Sequence, residues 1–323
     1  MDLGWIARFS GCTVLLATTA RAETGLEIEA AYAGEAFASS RAETSLGGLA
    51  SLVLDLDLAP RVNEHLGTVH VAAFGIHGRG ISEQLMDAFG VSGNAASPEV
   101  RLFEAWVEQP LGPFALRAGL LSAEEFTVAD HSTALLSATF GILGGLSYNI
   151  GNPVYPVATP GASARVVTDE VTLRAGVFDG DQRNEHGIPT EIGGSAFAIA
   201  EVEIPGTVKL GGWHHTDKGS ALYLVLDRQL DDQLGAFARL GVAPSGASDV
   251  YVDAGIRVGL LRSDDLLGLG LAFARTDTGP QTVVEASYQL VVTGRLTIQP
   301  DLQLLLLRDG TIGVIGTRAM ISL

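Results

Sequence analysis

The chain is a succession of short alternating segments joined by connectors of unequal length. Two turns rich in Pro and Gly, at residues 109–113 and 204–207, each join two runs in which apolar and polar residues alternate. From about Arg61 onward every second connector is a tight turn, and the longest of the others covers residues 122–161. A period of two indicates β-strands, so the chain is predicted to consist of hairpins joined alternately by short turns and longer loops.

Composition favours strands that lie in a membrane. The chain is 47% hydrophobic with a mean hydropathy of +0.29, yet beyond the N-terminus no apolar run approaches the ~18 to 20 residues of a membrane helix. Short turns on one side, longer loops on the other and strands with one apolar face are typical of an outer-membrane β-barrel. The net charge of −17 argues against a nucleic-acid partner, because such proteins need basic surfaces.

The first 22 residues have the pattern of a secretory signal peptide. Arg8 precedes a short apolar stretch, and residues 20–22 form a small-x-small cleavage site that ends at Ala22. Cleavage there predicts one mature domain over residues 23–323. Cys12 is the single cysteine of the chain and lies in the removed segment, so the mature protein is expected to have neither a disulfide nor a thiolate metal site.

The alternation predicts an all-β fold, a transmembrane antiparallel β-barrel of about 16 strands. An even number of strands returns both termini to the periplasmic side, as in bacterial single-chain barrels. The predicted strands are residues 26–37, 52–58, 66–76, 100–109, 114–121, 162–167, 171–178, 197–204, 208–214, 221–230, 234–242, 250–260, 267–275, 282–291, 296–306 and 313–322.

The charged residues of these strands share one parity. Alternate residues of a strand face opposite sides, and Arg or Lys on the lipid face costs about 2–4 kcal/mol at mid-membrane, so this parity should face water inside the barrel. Within one run, Arg101 and Glu104 have opposite parity, which leaves the register of that strand open by one residue. The charged residues assigned to the interior are Glu27, Glu29, Asp55, Asp57, Glu104, Glu108, Glu201, Glu203, Asp253, Glu285, Asp301, Arg117, Arg165, Arg174, Lys209, Arg239, Arg257, Arg295 and Arg318.

The connector over residues 122–161 is too long for a simple loop, and loops of this length in a compact domain are usually functional. It begins with Glu124 and Glu125, and residues 133–138 are small enough for a short helix. We predict that this external loop folds into the lumen and narrows it. The alternative is a lid that lies on the outer rim.

Short motifs are distributed over most of the chain. They are LFEAWVEQP at residues 102–110, LRAGL at 116–120, EEF at 124–126, YP at 155–156, PG at 160–161, RAGVFDG at 174–180, EASY at 285–288 and TIQPDLQ at 297–303. In these motifs, above all QPDLQ and GVFDG, the chain resembles the carbohydrate-selective porins (OprB-like). The resemblance implies a sixteen-stranded outer-membrane porin that passes sugars by diffusion and carries charged residues at its narrowest point.

Two features differ from that family. The chain is short for it, which predicts trimmed external loops. It also ends in Leu323, where barrels of this kind usually end in an aromatic residue. Leu323 still shares the parity of the lipid-facing residues before it.

Eight residues are predicted to line the narrowest zone, and they belong to the strands that flank the long connector or to that connector itself. They are Arg117, Arg174, Glu104, Glu108, Trp106, Arg165, Glu124 and Glu125. Trp106 lies between two carboxylates, so its ring could stack on the C–H face of a sugar while charged groups bind the hydroxyls. The alternative is that Trp106 only packs beneath the inserted loop.

Enzymatic and metal-binding interpretations find little support. Asp130, His131 and Ser132 are adjacent in sequence, but no nucleophile elbow accompanies them, and a solvated loop explains them better. The histidines lack the clustering of a metal site, so neither a cofactor nor a metal is expected.

The sequence therefore predicts a passive outer-membrane porin for sugars or other small polar solutes. Its expected partners are those solutes and outer-membrane lipid, and a homotrimer is one assembly open to such a barrel. Two rivals remain. One is a barrel enzyme of the lipase type, and the other is a plugged barrel with a structural or surface-binding role.

Overall fold

The computed structural model describes residues 20–21, 25–41, 44–58, 67–181, 192–260 and 264–323. The predicted signal peptide and its cleavage site after Ala22 lie outside these residues, apart from the two-residue strand Ala20–Arg21, which pairs with Ile28 and Glu27. Within the described ranges no helix is both long and apolar enough to cross a bilayer.

Sixteen longer strands lie in the described part of the chain and form one closed antiparallel sheet. Each pairs with the next in sequence, and β16 pairs with β1 from Val314 opposite Ser39 to Ser322 opposite Ala31. The predicted sixteen-stranded barrel is confirmed. The strands are β1 Leu26–Ser39, β2 Ser45–Asp57, β3 Thr68–Gly78, β4 Glu99–Leu111, β5 Phe114–Leu121, β6 Thr159–Val167, β7 Thr172–Asp179, β8 Ala196–Ile204, β9 Val208–His215, β10 Gly219–Gln229, β11 Leu234–Val242, β12 Ser248–Gly259, β13 Leu266–Thr276, β14 Gly279–Thr293, β15 Leu296–Leu307 and β16 Gly310–Ser322.

The two faces of the sheet differ sharply in exposure. On β15, Leu302, Leu304 and Leu306 expose 57%, 43% and 40% of their surface, whereas Asp301 and Gln303 between them expose 1% and 4%. Large apolar side chains are therefore on the outside and polar ones on the inside. This is the inverse of a soluble protein and the arrangement that a surrounding bilayer requires.

A β-bulge on β4 explains the conflicting parity of Arg101 and Glu104. The pairing of β3 with β4 shifts by one residue at Phe103, and such a shift lets two successive side chains point to the same face. Phe103 is buried against Phe74, with ring centroids 4.8 Å apart. Arg101 and Glu104 therefore both face inward, although they are three residues apart.

Two connectors pack against the inner face of the wall. The long connector is residues 122–158, since β6 already begins at Thr159. The short connector is residues 79–98, and its placement was not predicted. Their helical segments are α1 Ser82–Leu85 in the short connector and, in the long one, two 3-10 turns, Asp130–Ala134 and Ala138–Phe140, followed by α2 Gly144–Ile150.

The main hydrophobic core lies between the connectors and the inner wall rather than within a conventional domain interior. Phe126, Phe140 and Leu146 of the long connector are fully buried. The ring of Phe140 meets that of Phe237 on β11 edge-on, with centroids 6.0 Å apart. The long connector is thus held by burial of its own apolar side chains, which favours one fixed position.

Inward-facing glycines make room for the long connector. A Cβ on Gly268 of β13 would lie 2.8 Å from the carbonyl oxygen of Ala134, and one on Gly235 of β11 would overlap the ring of His131. Gly270 accommodates Leu135 in the same way. The wall therefore has a trough into which the connector fits without a gap.

Candidate functional site

A carboxylate on β4 bridges two arginines on the next two strands. Arg117 Nη2 on β5 lies 2.9 Å from Glu108 Oε2, and Arg165 Nη2 on β6 lies 2.8 Å from Glu108 Oε1. Arg117 Nη1 also lies 3.4 Å from Oε2 of Glu125 in the long connector. The structure thus brings together four of the eight residues predicted to line the narrowest zone.

The row continues onto β7, β8 and β9. Arg174 Nη1 on β7 lies 2.5 Å from Glu203 Oε2 and 3.2 Å from Glu201 Oε1, both on β8. Lys209 Nζ on β9 lies 4.0 Å from Glu203 Oε1. Arg174 and Lys209 therefore each face a carboxylate on an adjacent strand, whereas Arg165 reaches Glu108 across β5. Arg165 and Arg174 pair directly across β6 and β7, so cations and carboxylates are interspersed along the wall without strict alternation.

The side chains of this row are partly open to the lumen, with exposed fractions between 13% and 28%. Arg117 is three residues from the start of β5, or roughly 10 Å along the strand from the short turn. The row therefore lies toward the short-turn end of the barrel. Its members are Glu108, Arg117, Glu125, Arg165, Arg174, Glu203 and Lys209, and we refer to them as the charge ladder.

Trp106 is covered on both faces of its ring. The imidazole of His70 on β3 stacks on the indole with centroids 4.4 Å apart, and the Arg117 guanidinium carbon lies 3.9 Å from the ring centroid. Because β3 and β5 flank β4 on opposite sides, these two groups occupy opposite faces, and Trp106 is only 7% exposed. The contacts on both faces therefore favour the packing alternative over a sugar stacked on this ring.

A glycine on β5 makes the close approach to Trp106 possible. Gly119 pairs directly with Trp106 and has a φ of 146°. A Cβ on Gly119 would lie 2.7 Å from the Trp106 Cα, so a side chain is excluded at this position. This explains why glycine ends the Leu-Arg-Ala-Gly element that carries Arg117.

Glu104 and Glu124 bind groups at the two ends of the long connector. Glu104 Oε1 accepts hydrogen bonds from Ser122 N at 2.8 Å and Ser122 Oγ at 2.6 Å. Glu124 is 7% exposed and accepts one from Tyr155 N at 2.9 Å. Burial, reinforced by the nearby Glu104 charge, raises the pKa of Glu124 to about 8 even though the Tyr155 N–H opposes the shift.

Three more inward carboxylates, on β8, β10 and β14, bind main-chain N–H groups of the long connector. The bonds run from Thr127 N to Glu201 at 3.0 Å, from Asp130 N to Asp227 at 2.6 Å and from Ser137 N to Glu285 at 3.2 Å. His131 Nδ1 also lies 2.5 Å from Asp227 Oδ1, and this hydrogen bond raises the pKa of His131 although burial opposes it. Sequence parity placed Glu201 and Glu285 inside but could not show this anchoring role.

Two glutamines on β15 hold both connectors. Gln299 Nε2 donates to the carbonyl oxygen of Ala134 at 3.0 Å, and Gln303 Nε2 donates to that of Val91 in the short connector at 2.8 Å. The QPDLQ motif, the most specific element of the family resemblance, therefore has a structural role here. The two glutamines share the inward parity, so this strand contacts the long and the short connector at once.

The residues that suggested an enzyme do not form a catalytic arrangement. Ser132 is fully buried, and its Oγ donates to the carbonyl oxygens of Ala129 and Phe140. His131 faces Asp227 rather than Ser132. In the described ranges, no group of three His, Cys, Asp or Glu residues is arranged to hold a metal ion.

Comparison with solved structures gives the same architecture. The high-pH structure of Pseudomonas putida OprB superposes with a TM-score of 0.84 at 16% identity, covering 93% of this chain and 94% of that one. Its low-pH structure gives 0.64 at 17% identity, with 93% of each chain covered. A triple mutant of the Rhodopseudomonas blastica porin gives 0.56 at 9% identity, covering 92% and 100%. At these identities the likeness shows the fold alone.

Comparison with families is more specific. None of the curated proteins compared with the chain matches it. The model of the carbohydrate-selective porin (OprB) family matches residues 47–230, which include the charge ladder and the whole long connector. Since that match covers more than half of the sequence and the fold agrees with it, the chain belongs to the carbohydrate-selective porin, OprB, family.

Proposed function

We propose that this porin passes sugars and other small hydrophilic solutes by passive diffusion along the charge ladder, between the long connector and the wall formed by β4–β9. Family membership supports sugar passage, and the ladder supports the route. The long connector is anchored to the opposite wall, through Asp227, Arg239 and Glu285. The side chains of the ladder remain partly exposed beside it.

A ladder of mixed sign suits an uncharged polar solute. The arginine and lysine side chains offer hydrogen-bond donors, and the carboxylates offer acceptors, to the successive hydroxyl groups of a sugar. A pore field of mixed sign does not trap ions of either sign. In this proposal Arg117, Arg165 and Arg174 donate to sugar hydroxyls, and Glu108 and Glu203 accept from them. Glu104, Glu124 and Trp106 support the site by holding the connector and the arginines.

The location follows from the same reasoning. Porins of this family act in the outer membrane as channels and not as enzymes, and the exposed leucines of β15 suit contact with membrane lipid. We propose that residues 1–22 direct export and are removed after Ala22. Assembly as a homotrimer is a further proposal, which cross-linking in outer membranes would test.

The observation that carries the proposal is the anchored long connector facing a partly exposed charge ladder. Deleting residues 133–145 should raise single-channel conductance of the purified protein, because it removes the 3-10 turn Ala138–Phe140 and the start of α2. Sugar-driven swelling of liposomes gives the flux of uncharged solutes in the same preparations. A folded deletion variant with unchanged conductance would place the passage elsewhere. Absence of any conductance in the intact protein would favour a plugged barrel instead.

A further inference from the structure

One arginine of the wall has all its hydrogen-bonding capacity committed to the long connector and a buried partner. Arg239 on β11 is 1% exposed. Its Nη1 donates to the carbonyl oxygens of Gly141 at 2.7 Å and Thr127 at 3.3 Å, and its Nη2 donates to that of Thr139 at 2.8 Å. Thr127 lies near the start of the connector, and Thr139 and Gly141 lie together near its middle, so a single side chain ties two separate segments of the connector to the wall.

The partner of Arg239 is Asp253, which lies directly opposite on β12. Arg239 Nε and Nη2 reach the Asp253 carboxylate at 3.0 Å and 2.6 Å, and both side chains are fully buried. The hydroxyl of Tyr251 donates to the same carboxylate at 2.7 Å. All five N–H donors of the guanidinium are thereby used, so Arg239 presents no donor to a permeating solute.

We propose that Arg239 is a positioning residue that fixes the long connector against the β11–β12 wall and thereby sets the width of the passage along the charge ladder. The inference rests on the proposed function in one respect, namely that solutes pass between this connector and the ladder. It assigns to Arg239 a role different from that of Arg117 and Arg174. Their side chains are partly exposed, whereas the Arg239 charge is neutralised out of reach of the lumen.

Arginine is required at this position for a geometric reason. Its planar fork carries donors in five fixed directions, whereas a lysine ammonium is a single point with three donors. One ammonium with three donors cannot reach Asp253 and all three carbonyls, which belong to two segments of the connector. Arg239→Lys should therefore keep the buried charge pair with Asp253 but release at least one of the two connector segments from the wall.

The decisive variant removes the pair as a whole. Losing one partner alone would leave a buried charge without its counter-ion, so Arg239→Gln is combined with Asp253→Asn. The matched control is Arg275→Gln with Asp249→Asn, which removes an ion pair of the same length, 2.6 Å, that is largely exposed. Heat-modifiable migration in gels verifies that each barrel is folded. Arg239→Lys serves as the second variant if the double one does not assemble.

Two measurements test the proposal on the folded proteins. Amide hydrogen exchange of residues 127–141 should increase about ten-fold or more in the R239Q/D253N variant, and single-channel records should show several conductance levels in place of one. R239K should give an intermediate exchange rate, and the control variant should match the wild type in both measurements.

The outcomes separate this inference from the proposed function. Wild-type exchange in residues 127–141 of R239Q/D253N would overturn the positioning role while leaving the passage unaffected. Faster exchange with a single wild-type conductance level would show that the connector is released but does not set the width. That result would overturn the second half of the inference and leave the proposed route to its own test, the deletion of residues 133–145.

Discussion

Replacing Arg174 with glutamine should make the channel clearly more selective for cations. The variant keeps hydrogen-bond donors at this position but removes a positive charge that is 13% exposed to the lumen. The carboxylates it leaves still have partners, because Glu203 faces Lys209, and Glu201 accepts hydrogen bonds from Thr127 N and Tyr223 Oη, both at 3.0 Å. We therefore expect the barrel to fold and the effect to be electrostatic.

The size of the effect follows from Coulomb's law. A permeating ion about 6 Å from the removed charge changes in energy by roughly 0.7 kcal/mol at the dielectric constant of water. Screening at 0.1 M salt, with a Debye length of about 10 Å, reduces this to about 0.4 kcal/mol. Cations gain this amount and anions lose it, so the permeability ratio should shift about four-fold toward cations, since 1.4 kcal/mol is ten-fold.

The reversal potential across a planar bilayer with a salt gradient measures this ratio. Arg275→Gln is the matched control, because it removes the same charge from an ion pair with Asp249 whose arginine side chain is 59% exposed. Sugar flux should fall in the Arg174 variant and stay unchanged in the control. A folded Arg174→Gln channel with the wild-type ratio, or an equal shift in both variants, would refute the assignment of the ladder to the permeation path.

Three further predictions concern the long connector. Gly268→Ala should push the connector away from β13 and destabilise the protein by about 1–3 kcal/mol, as measured by thermal loss of the folded gel band, whereas Gly313→Ala should not, because its Cβ would meet open space. The raised pKa of His131 means that its contact with Asp227 is strongest when the imidazole is protonated. Raising the pH from below the ordinary histidine pKa of about 6.5 should therefore weaken this contact and increase the noise of the single-channel current. His131→Asn should abolish that dependence. Glu124→Gln should flatten the loss of stability that otherwise accompanies rising pH between about 4.5 and 8, the interval over which the folded state retains the proton of this buried carboxyl.

The strands could be predicted from the sequence because the two faces of the sheet meet opposite environments. A lipid exterior and a wet interior force a strict period of two, and on β15 the alternation of leucines with Asp301 and Gln303 shows this directly. The pattern failed at Phe103, where a bulge adds one residue. A bulge leaves no unambiguous mark in a single sequence, because an apolar side chain fits either face.

The placement of the two connectors was harder to predict from the sequence. The long connector stood out by its length, but residues 79–98 did not, although Ile81, Leu85 and Phe89 recur at a spacing of four and are buried against the wall. That spacing is a helical signal in a segment where strand periodicity was the pattern sought. The inward glycines are a second signal of this placement, since Gly268 and Gly270 alternate with exposed leucines on β13.

Parity alone cannot separate the inward charges that meet solutes from those that hold the connector. Glu108 and Glu201 have the same residue type and the same face of the sheet, yet Glu108 is partly exposed between two arginines and Glu201 is fully buried beneath Thr127. They differ because the connector brings a main-chain N–H group, that of Thr127, to Glu201 and brings none to Glu108. Because those donors come from a segment distant in sequence, a carboxylate in this lumen becomes an anchor or a lining residue only when the connector folds over it. The selectivity of the passage therefore depends on the position of the connector as much as on the charges of the wall.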